Sequence, residues 1–366
     1  MIGKLLKRQI VIYLVGAFSC SAVSGDQPTV SSVTYDFPSK TVTILGSGFG
    51  TGPEVVLFDD FEHGAEVGET VDYTASDLPW SSIHQYYPPL YDERSHSGST
   101  SALMYDMAAT RARQLTKEFD TPAQSVFVSH WVKVPDGTYF PGSNVSGLKS
   151  FSFDSSWKFS WLIDEDTGTE SSNVCTPTHA GDGIFYIAGN DINILRVDSN
   201  AWWSWGAWNR VTTTLIANEN SPTTDGFVEF SALSREFGVY RQAENRAVYD
   251  EDGSSVKQFQ KINIPGWIRD SGANLVQTLY DDIYVAVGQN AAKRIELTDG
   301  IDYATISMAS IQMASTWTDN RITFKPRNGG LEDIDSSFIH FIDERGNASF
   351  LNAFPKALPR PPTLAQ

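Results

Sequence analysis

The feature that most constrains the fold is the recurrence of short segments in which polar and apolar residues alternate. Thr41-Val42-Thr43-Ile44 shows this alternation, and from Val55 onward similar segments recur at intervals of roughly 10 to 20 residues. Side chains of a β-strand point alternately to the two faces of a sheet, so a period of two predicts strands with one buried face. No segment carries a sustained 3.6-residue period. The sequence therefore predicts an all-β protein.

Turn-forming residues, such as Pro135-Asp136-Gly137 and Asp252-Gly253, separate the strand patterns. The clearest patterns are Val126–Val134, Lys149–Phe153, Trp157–Ile163, Ile184–Ala188, Trp208–Ile216, Phe227–Phe230, Asp282–Val287, Arg294–Leu297 and Arg321–Phe324. Residues 354–366 form a proline-rich tail after the last of them, and we expect this tail to be a loose end or linker.

Residues 1–25 are typical of a secretory signal peptide. Ile10–Phe18 is an apolar stretch too short to span a bilayer, and small residues up to Gly25 offer a cleavage site. The positive segment before the apolar stretch contains Lys4, Lys7 and Arg8. A membrane anchor and a lipoprotein signal acylated at Cys20 are the alternatives. We expect a secreted, periplasmic or cell-surface protein without membrane insertion.

Charge and cysteine content limit the partners and the means of stabilisation. The formal net charge is −17, and removal of the three positive residues of the signal peptide makes it −20. Such a surface repels nucleic acid and anionic lipid, so we expect neither as a partner. Cys20 and Cys175 are the two cysteines. If Cys20 leaves with the signal peptide, no intramolecular disulfide can form, and stability must come from the core.

Two distant segments resemble parts of one small domain. Val42-Thr43-Ile44 followed by Gly46-Ser47-Gly48-Phe49-Gly50 resembles the opening of an IPT/TIG domain, an immunoglobulin-like sandwich. The segments 315–324 and 338–342 resemble its late strands. The resemblance implies a sandwich that is split in sequence, residues 27–58 plus 310–353, with a second domain inserted at a loop. One continuous β-sandwich with decorated ends is the alternative.

The inserted segment, residues 59–308, resembles the concanavalin-A-like jelly roll of secreted lectins and polysaccharide lyases. The residues that carry this resemblance are Phe58–Gly64, Ser97–Leu103, Trp131-Val132-Lys133, Gly206–Val211 and Asp281–Ala286. The expected fold is therefore a jelly-roll β-sandwich plus a small immunoglobulin-like sandwich. The resemblance also implies a polysaccharide as the partner, although fold alone does not fix activity.

Aromatic residues are the candidates for contact with a glycan, because sugar C–H faces stack on indole rings. Trp202, Trp203 and Trp205 lie among Ser and Gly residues, in a predicted loop. Trp131 and Lys133 share the strand face opposite His130 and are further candidates for a cleft. For every one of these tryptophans, filling of the core is the alternative.

Cleavage of a uronate chain by β-elimination needs a group that neutralises the carboxylate, a base and an acid. Arg111 and Arg113 resemble the Arg-x-Arg spacing on a strand of alginate-lyase-type jelly rolls, and are the candidate cations. The candidate acids and bases are His84, His130 and Tyr139. His130 shares its strand face with valines, which also predicts a core histidine.

The resemblance to jelly rolls also implies a structural calcium ion, which prefers several oxygen ligands. The candidate ligands are Asp59, Asp60, Glu62, Asp281 and Asp282. Solvated carboxylates are the alternative. There is no His/Cys pattern for zinc.

The sequence leaves three functions open. The first is a secreted polysaccharide lyase. The second is a lectin-like binding module without turnover, and the third is a structural surface or matrix protein. The tryptophan-rich loop fits the first two, whereas the lack of a recognisable catalytic constellation favours the second and third.

Overall fold

The computed structural model describes residues 27–63, 66–107, 114–134, 143–144, 147–148, 157–164, 172–180, 184–189, 195–198, 203–217, 226–246, 248, 258–266 and 275–355. The segments and residues outside these ranges include the predicted signal peptide, Arg111, Arg113, Tyr139, Trp202 and most of the predicted tail. The described chain forms antiparallel sheets, with short 3-10 helices at Tyr303–Thr305 and Ile334–Ser336. The predicted all-β fold class is confirmed.

The large sandwich is built from two sheets. In spatial order, its eight-stranded sheet contains β17 (Gly238–Asn245), β16 (Phe227–Ser234), β15 (Trp208–Ile216), β8 (Ser125–Lys133), β19 (Leu275–Val287), β6 (Ser101–Met107) and β5 (Leu90–Asp92), with β3 (Glu54–Asp59) also paired to β19. Its seven-stranded sheet contains β14 (Leu195–Asp198), β13 (Ile184–Gly189), β12 (Ser172–Ala180), β11 (Trp157–Asp164), β18 (Phe259–Ile264), β7 (Leu115–Ala123) and β4 (Ser82–Ile83). A separate ribbon consists of β9 (Ser143–Asn144) and β10 (Gly147–Leu148).

The small sandwich consists of two four-stranded sheets. One contains, in spatial order, β1 (Thr29–Asp36), β2 (Thr41–Ser47), β23 (Arg321–Phe324) and β22 (Ala314–Thr318). The other contains β21 (Ala309–Gln312), β20 (Arg294–Thr298), β24 (Phe338–Ile342) and β25 (Ala348–Ala353). Residues of both sheets, among them Ile44, Leu297 and Ile322, share one buried cluster, so the two sheets pack face to face.

The eight-stranded sheet is covered on both faces, and β8 shows how. Val126, Val128 and Val132 belong to the core shared with the seven-stranded sheet. Trp131 points the other way and belongs to the cluster of the small sandwich. In a strand with one solvent-facing side, buried and exposed residues alternate, whereas every residue of Ser125–Val132 is buried. The small sandwich therefore lies on the outer face of the eight-stranded sheet.

The sheets cross the domain boundaries expected from the sequence. β3 precedes the predicted boundary at residue 59 yet pairs with β19 of the large sandwich. β20 precedes the predicted boundary at residue 308 yet pairs with β24 of the small sandwich. The small sandwich thus takes strands from both ends of the described chain. The IPT/TIG assignment of these strands stays a prediction.

Candidate functional site

The longest strand, β19, is distorted at Asp281 and Asp282. The register against β8 shifts between Asp281 and Tyr284, and Asp282 has a φ of 46°, a left-handed conformation that a non-glycine residue seldom adopts. On the other side of β19, β6 pairs with residues up to Tyr280 and β3 begins to pair at Ile283. The β19 bulge, meaning Asp281 and Asp282, therefore lies where β3 and β6 meet end to end.

Asp281 ties the segment before β6 to this bulge. Its Oδ2 accepts hydrogen bonds from the backbone N–H groups of His96 at 2.7 Å and Ser97 at 3.1 Å. Its Oδ1 accepts from the Asp282 N–H at 2.8 Å. Burial and the charge of Asp282 raise the pKa of Asp281, and the three N–H groups oppose that rise. In the described part of the chain, this carboxylate thus accepts from backbone N–H groups, two of which belong to a segment that is distant in sequence.

Asp282 and His96 form a buried pair next to Trp131. His96 Nδ1 lies 3.1 Å from Asp282 Oδ2, and the imidazole stacks on the Trp131 ring with centroids 3.7 Å apart. His96 Nε2 is buried and has no hydrogen-bond partner in the described part of the chain. Burial lowers the pKa of His96, although Asp282 opposes this. Gly330 packs closely against His96, because a Cβ at residue 330 would lie only 2.7 Å from His96 Nε2.

Arg327 enters the β19 bulge from the small sandwich. Its Nη2 donates to Asp60 Oδ2 at 2.5 Å and lies 3.4 Å from Asp282 Oδ1. Its guanidinium carbon lies 4.0 Å from the centre of the Phe58 ring, which is within cation–π distance. Burial opposes ionisation of Asp282, but His96 and Arg327 outweigh it and lower the pKa of Asp282. Asp60, Asp282 and Arg327 therefore form one ion-pair network across the two sandwiches.

The remaining predicted calcium ligands have partners of their own. Asp59 Oδ2 accepts from Trp80 Nε1 at 2.7 Å and Oδ1 from the Phe61 N–H at 2.9 Å, while burial raises the pKa of Asp59 to about 6. Glu62 accepts hydrogen bonds from the backbone and hydroxyl groups of Ser99 and Thr100. These two carboxylates fix loops rather than converge with Asp282 on one point.

Among the described residues, two groups of side chains have ligand atoms within 4.8 Å of one another, Asp59 with Asp60 and His63, and His96 with Asp281 and Asp282. Neither group fits a calcium ion as it stands, because calcium takes six to eight oxygens and these oxygens already bind protein donors. In particular, Arg327 lies between Asp60 and Asp282.

Of the predicted catalytic residues, the described part of the chain contains His84 and His130. His130 is buried between Phe159 and Tyr280, and burial lowers its pKa to about 3. The ring therefore has no access to a substrate in this structure, in agreement with the alternative of a core histidine, and the catalytic role of His130 stays a prediction. His84 is half-buried and lies at the surface beside Tyr86 and Tyr87.

The candidate glycan-binding residues also divide by exposure. Trp131 and Trp203 are each only 3% exposed, so neither indole presents a face to a sugar ring in this structure, in agreement with the alternative that they fill the core. Trp205 is 45% exposed and remains available. Lys133 is half-buried at the end of β8. Burial opposes ionisation of Asp92, but hydrogen bonds and charge from Arg94 lower the pKa of Asp92, and the charge of Lys133 adds to this effect.

The rim of the seven-stranded sheet carries an exposed aromatic surface, which we call the His84 loop (residues 84–89). The ring of His84 stacks on Tyr87 with centroids 6.1 Å apart and an interplanar angle of 19°, and Tyr86 meets the same ring edge-on at 6.1 Å. Tyr86 is 73% and Tyr87 50% exposed. The loop is anchored at both ends, by the His84 N–H to Gln114 O at 2.9 Å and by the Val71 N–H to Pro89 O at 3.0 Å.

A cleft of about 410 Å³ opens between the β16–β17 turn and loops of the small sandwich. Its polar lining includes Arg235, Asp299, Ser307, Glu332 and Asp333. Three carboxylates against one guanidinium make the cleft a poor place for an anionic chain. We therefore do not assign a uronate to it.

Sequence reasoning missed His96, Arg327 and the buried ion pairs of Arg210, Glu296 and Arg294. His96 belongs to a Ser- and Gly-rich segment that indicates a turn, and Arg327 precedes Asn328-Gly329-Gly330, which also indicates a turn. A charged residue beside a turn is ordinarily solvated, so the local pattern carries no signal of burial. Among the described residues, no helix is long and apolar enough to cross a membrane.

No protein-family model and no curated protein sequence matches this chain. The solved structures to which this chain is similar include the endo-β-1,4-glucuronan lyase of the fungus Trichoderma reesei, with a TM-score of 0.41 and 12% identity over 61% of this chain and 94% of that one. The marine alginate lyase of Aplysia kurodai has a TM-score of 0.41 and 11% identity over 61% of this chain and 100% of that one. The binding domain of botulinum neurotoxin serotype G has a TM-score of 0.37 and 8% identity over 81% and 75%. At TM-scores below 0.5, these similarities assign neither a family nor an activity to this chain.

Proposed function

We propose that this protein is exported and binds a polysaccharide through the His84 loop. The observation that carries the proposal is the pair of exposed tyrosines, Tyr86 and Tyr87, held around one imidazole ring. Exposed aromatic rings that are fixed in place offer stacking surfaces for the C–H faces of sugars. Large exposed aromatic groups are otherwise a solubility cost, so a cluster of them favours a binding role.

The anchoring of the loop supports the same role. Backbone hydrogen bonds at both ends and the Pro88-Pro89 pair restrict the loop before any ligand arrives. A restricted surface loses less conformational entropy on binding, so more of the contact energy appears as affinity. Trp205, exposed on the loop before β15, is a second candidate contact.

A lyase activity is the second candidate function, and one observation favours it. The His84 loop pairs with Gln114, which directly follows the predicted cations Arg111 and Arg113 in sequence. β-Elimination on a uronate chain requires a cation or amide, a base and an acid, and histidine and tyrosine can serve as base and acid. The positions of Arg111, Arg113 and Tyr139 are outside the described residues, so this activity is proposed from proximity in sequence.

The proposal is tested by incubating purified protein with a panel of neutral and uronate-containing polysaccharides. Affinity electrophoresis reports binding, while ultraviolet absorbance of unsaturated ends and release of reducing ends report cleavage. We expect retarded migration in at least one glycan gel, and a loss of about tenfold in affinity for Tyr86→Ala and Tyr87→Ala, since one stacked ring contributes on the order of 1.4 kcal/mol.

Phe37→Ala is the matched control, because Phe37 is 51% exposed but lies in the turn after β1 of the small sandwich. An unchanged control with weakened tyrosine variants supports the binding role. A rise in absorbance that both tyrosine variants abolish favours the lyase. The absence of binding and of cleavage on every glycan would reject both functions and leave the structural role.

Mass analysis of the exported protein tests the predicted cleavage of the signal peptide near Gly25.

A further inference from the structure

We propose that Arg327 is the resident cation of the β19 bulge, and that it takes the place that a divalent cation would need between Asp60 and Asp282. The proposal does not rest on the proposed function. It begins from the finding that two of the carboxylates predicted to bind calcium, those of Asp60 and Asp282, both lie next to the Arg327 guanidinium.

The first argument is charge. Asp60 directly follows β3 and Asp282 lies on β19, and two carboxylates brought this close together would repel each other without a cation between them. Arg327 Nη2 bridges them, at 2.5 Å from Asp60 Oδ2 and 3.4 Å from Asp282 Oδ1. A guanidinium cannot lose its proton at ordinary pH, so the compensation is permanent.

The second argument is that Arg327 is held in place before it meets the carboxylates. Its backbone N–H donates to Gln312 Oε1 at 2.8 Å, and its carbonyl accepts from Gln312 Nε2 at 3.1 Å and from Ser310 Oγ at 3.2 Å. Gln312 is only 3% exposed. The guanidinium carbon then lies 4.0 Å from the centre of the Phe58 ring. An arginine fixed at backbone and side chain acts more like a bound ion than like a mobile surface charge.

The third argument is the origin of the residue. Arg327 follows β23 of the small sandwich, whereas Asp60 and Asp282 belong to the large sandwich. A free cation would neutralise the bulge without joining the sandwiches. A covalently attached cation neutralises it only when the small sandwich is docked. Neutralisation of the β19 bulge and docking of the small sandwich therefore occur together, and neither needs a metal.

The test is the thermal unfolding of the full-length protein in calcium chloride and in a chelator, for the unsubstituted protein, Arg327→Ala, Arg327→Lys and the control Arg321→Ala. Arg321 is an exposed arginine on β23. We expect the unsubstituted protein to have the same Tm in both solutions. Arg327→Ala should lower Tm in chelator by about 5 °C, because it removes the positive charge between two carboxylates that repel each other.

Calcium should restore at least half of that loss in Arg327→Ala, and calorimetric titration should show calcium binding by this variant alone. Arg327→Lys, which keeps a charge, should lose less stability and bind no calcium; it decides the question if Arg327→Ala does not fold. Any of three results would overturn the proposal: a calcium-dependent Tm in the unsubstituted protein, an Arg327→Ala variant that behaves like Arg321→Ala, or a destabilised Arg327→Ala variant that calcium does not restore.

Discussion

Arg210 on β15 and Glu296 on β20 form a buried ion pair between the two sandwiches, with Nη1 and Oε2 2.9 Å apart. The second oxygen of Glu296 accepts from Arg294 Nε at 2.6 Å, and Tyr303 also donates to this carboxylate. Burial alone would raise the pKa of Glu296, but the two guanidinium groups lower it to about 2. One carboxylate thus compensates two buried cations at the contact.

Glu296→Gln should destabilise the protein by about 3–5 kcal/mol, because it leaves two buried guanidinium groups without a counter-charge. Denaturant unfolding at neutral pH measures this loss. The matched control is Glu344→Gln, since Glu344 is 49% exposed and lies 3.6 Å from Lys293; we expect that variant to lose less than about 1 kcal/mol. Equal losses in the two variants would show that burial of the Arg210 pair contributes nothing.

Asp59 should make stability fall as the pH rises from about 4 to about 6. Its pKa is about 6 in the folded protein and 3.8 in the reference state, so the folded state binds the proton more tightly in that interval. The resulting penalty is about 3 kcal/mol and is complete above pH ~6. Asp59→Asn removes the titration. The stability difference between the unsubstituted protein and Asp59→Asn, measured by denaturant unfolding across this range, should therefore decrease with pH; a constant difference would contradict the assignment.

His130 should weaken the protein in acid. Burial lowers its pKa from 6.5 to about 3, so only the unfolded chain binds the proton between these values. Stability from this group is full above pH ~6.5 and is lost as the pH falls towards 3, by up to ~5 kcal/mol. His130→Leu removes that loss, and its acid-unfolding midpoint, followed by circular dichroism, should lie at lower pH. Glycan retardation should not change. A variant that unfolds at the same pH but loses glycan binding would place His130 in the site after all.

Gly330 should tolerate no side chain. It has a φ of +82°, and a Cβ would lie 2.6 Å from His96 Cε1, on a ring that Asp282 and Trp131 hold in place. We expect Gly330→Ala to cost at least ~2 kcal/mol. Gly288→Ala is the control, since Gly288 has a φ of +84° and no atom within 4 Å of its Cβ position. The two variants share the backbone strain, so their difference in unfolding free energy measures the overlap with His96. No difference would mean that the His96 ring moves freely.

Strand positions could be predicted because the alternation that reveals them is local. The pattern Trp208–Ile216 coincides with β15, and Val126–Val134 differs from β8 by one residue at each end. The first half of β19 escaped because Leu275–Tyr280 is followed by two aspartates, which suggested the start of a strand rather than its middle. A bulge permits charged residues inside a strand, and local composition does not reveal it.

The candidate site was harder to predict because its contacts are distant in sequence. Arg327 and Asp60 are separated by 267 residues. Nothing in the neighbourhood of either residue indicates the other. The exposure of the tryptophans could not be predicted for a related reason. Trp203 and Trp205 have the same Ser- and Gly-rich surroundings in sequence, yet Trp203 is buried and Trp205 is exposed. Periodicity predicts which residues share a face, but not which element covers that face.

The pairing of β2 with β23 has a consequence for biosynthesis. Val42 pairs with Phe324, so the ribosome releases the β1–β2 hairpin well before the strand that completes its sheet. During that interval the hairpin presents an open edge, and open edges recruit other chains. The strands of the large sandwich are synthesised between β2 and β23, so this edge stays unpaired while they emerge. A nascent chain that stalls before Arg321 would keep this edge exposed to pairing with other chains.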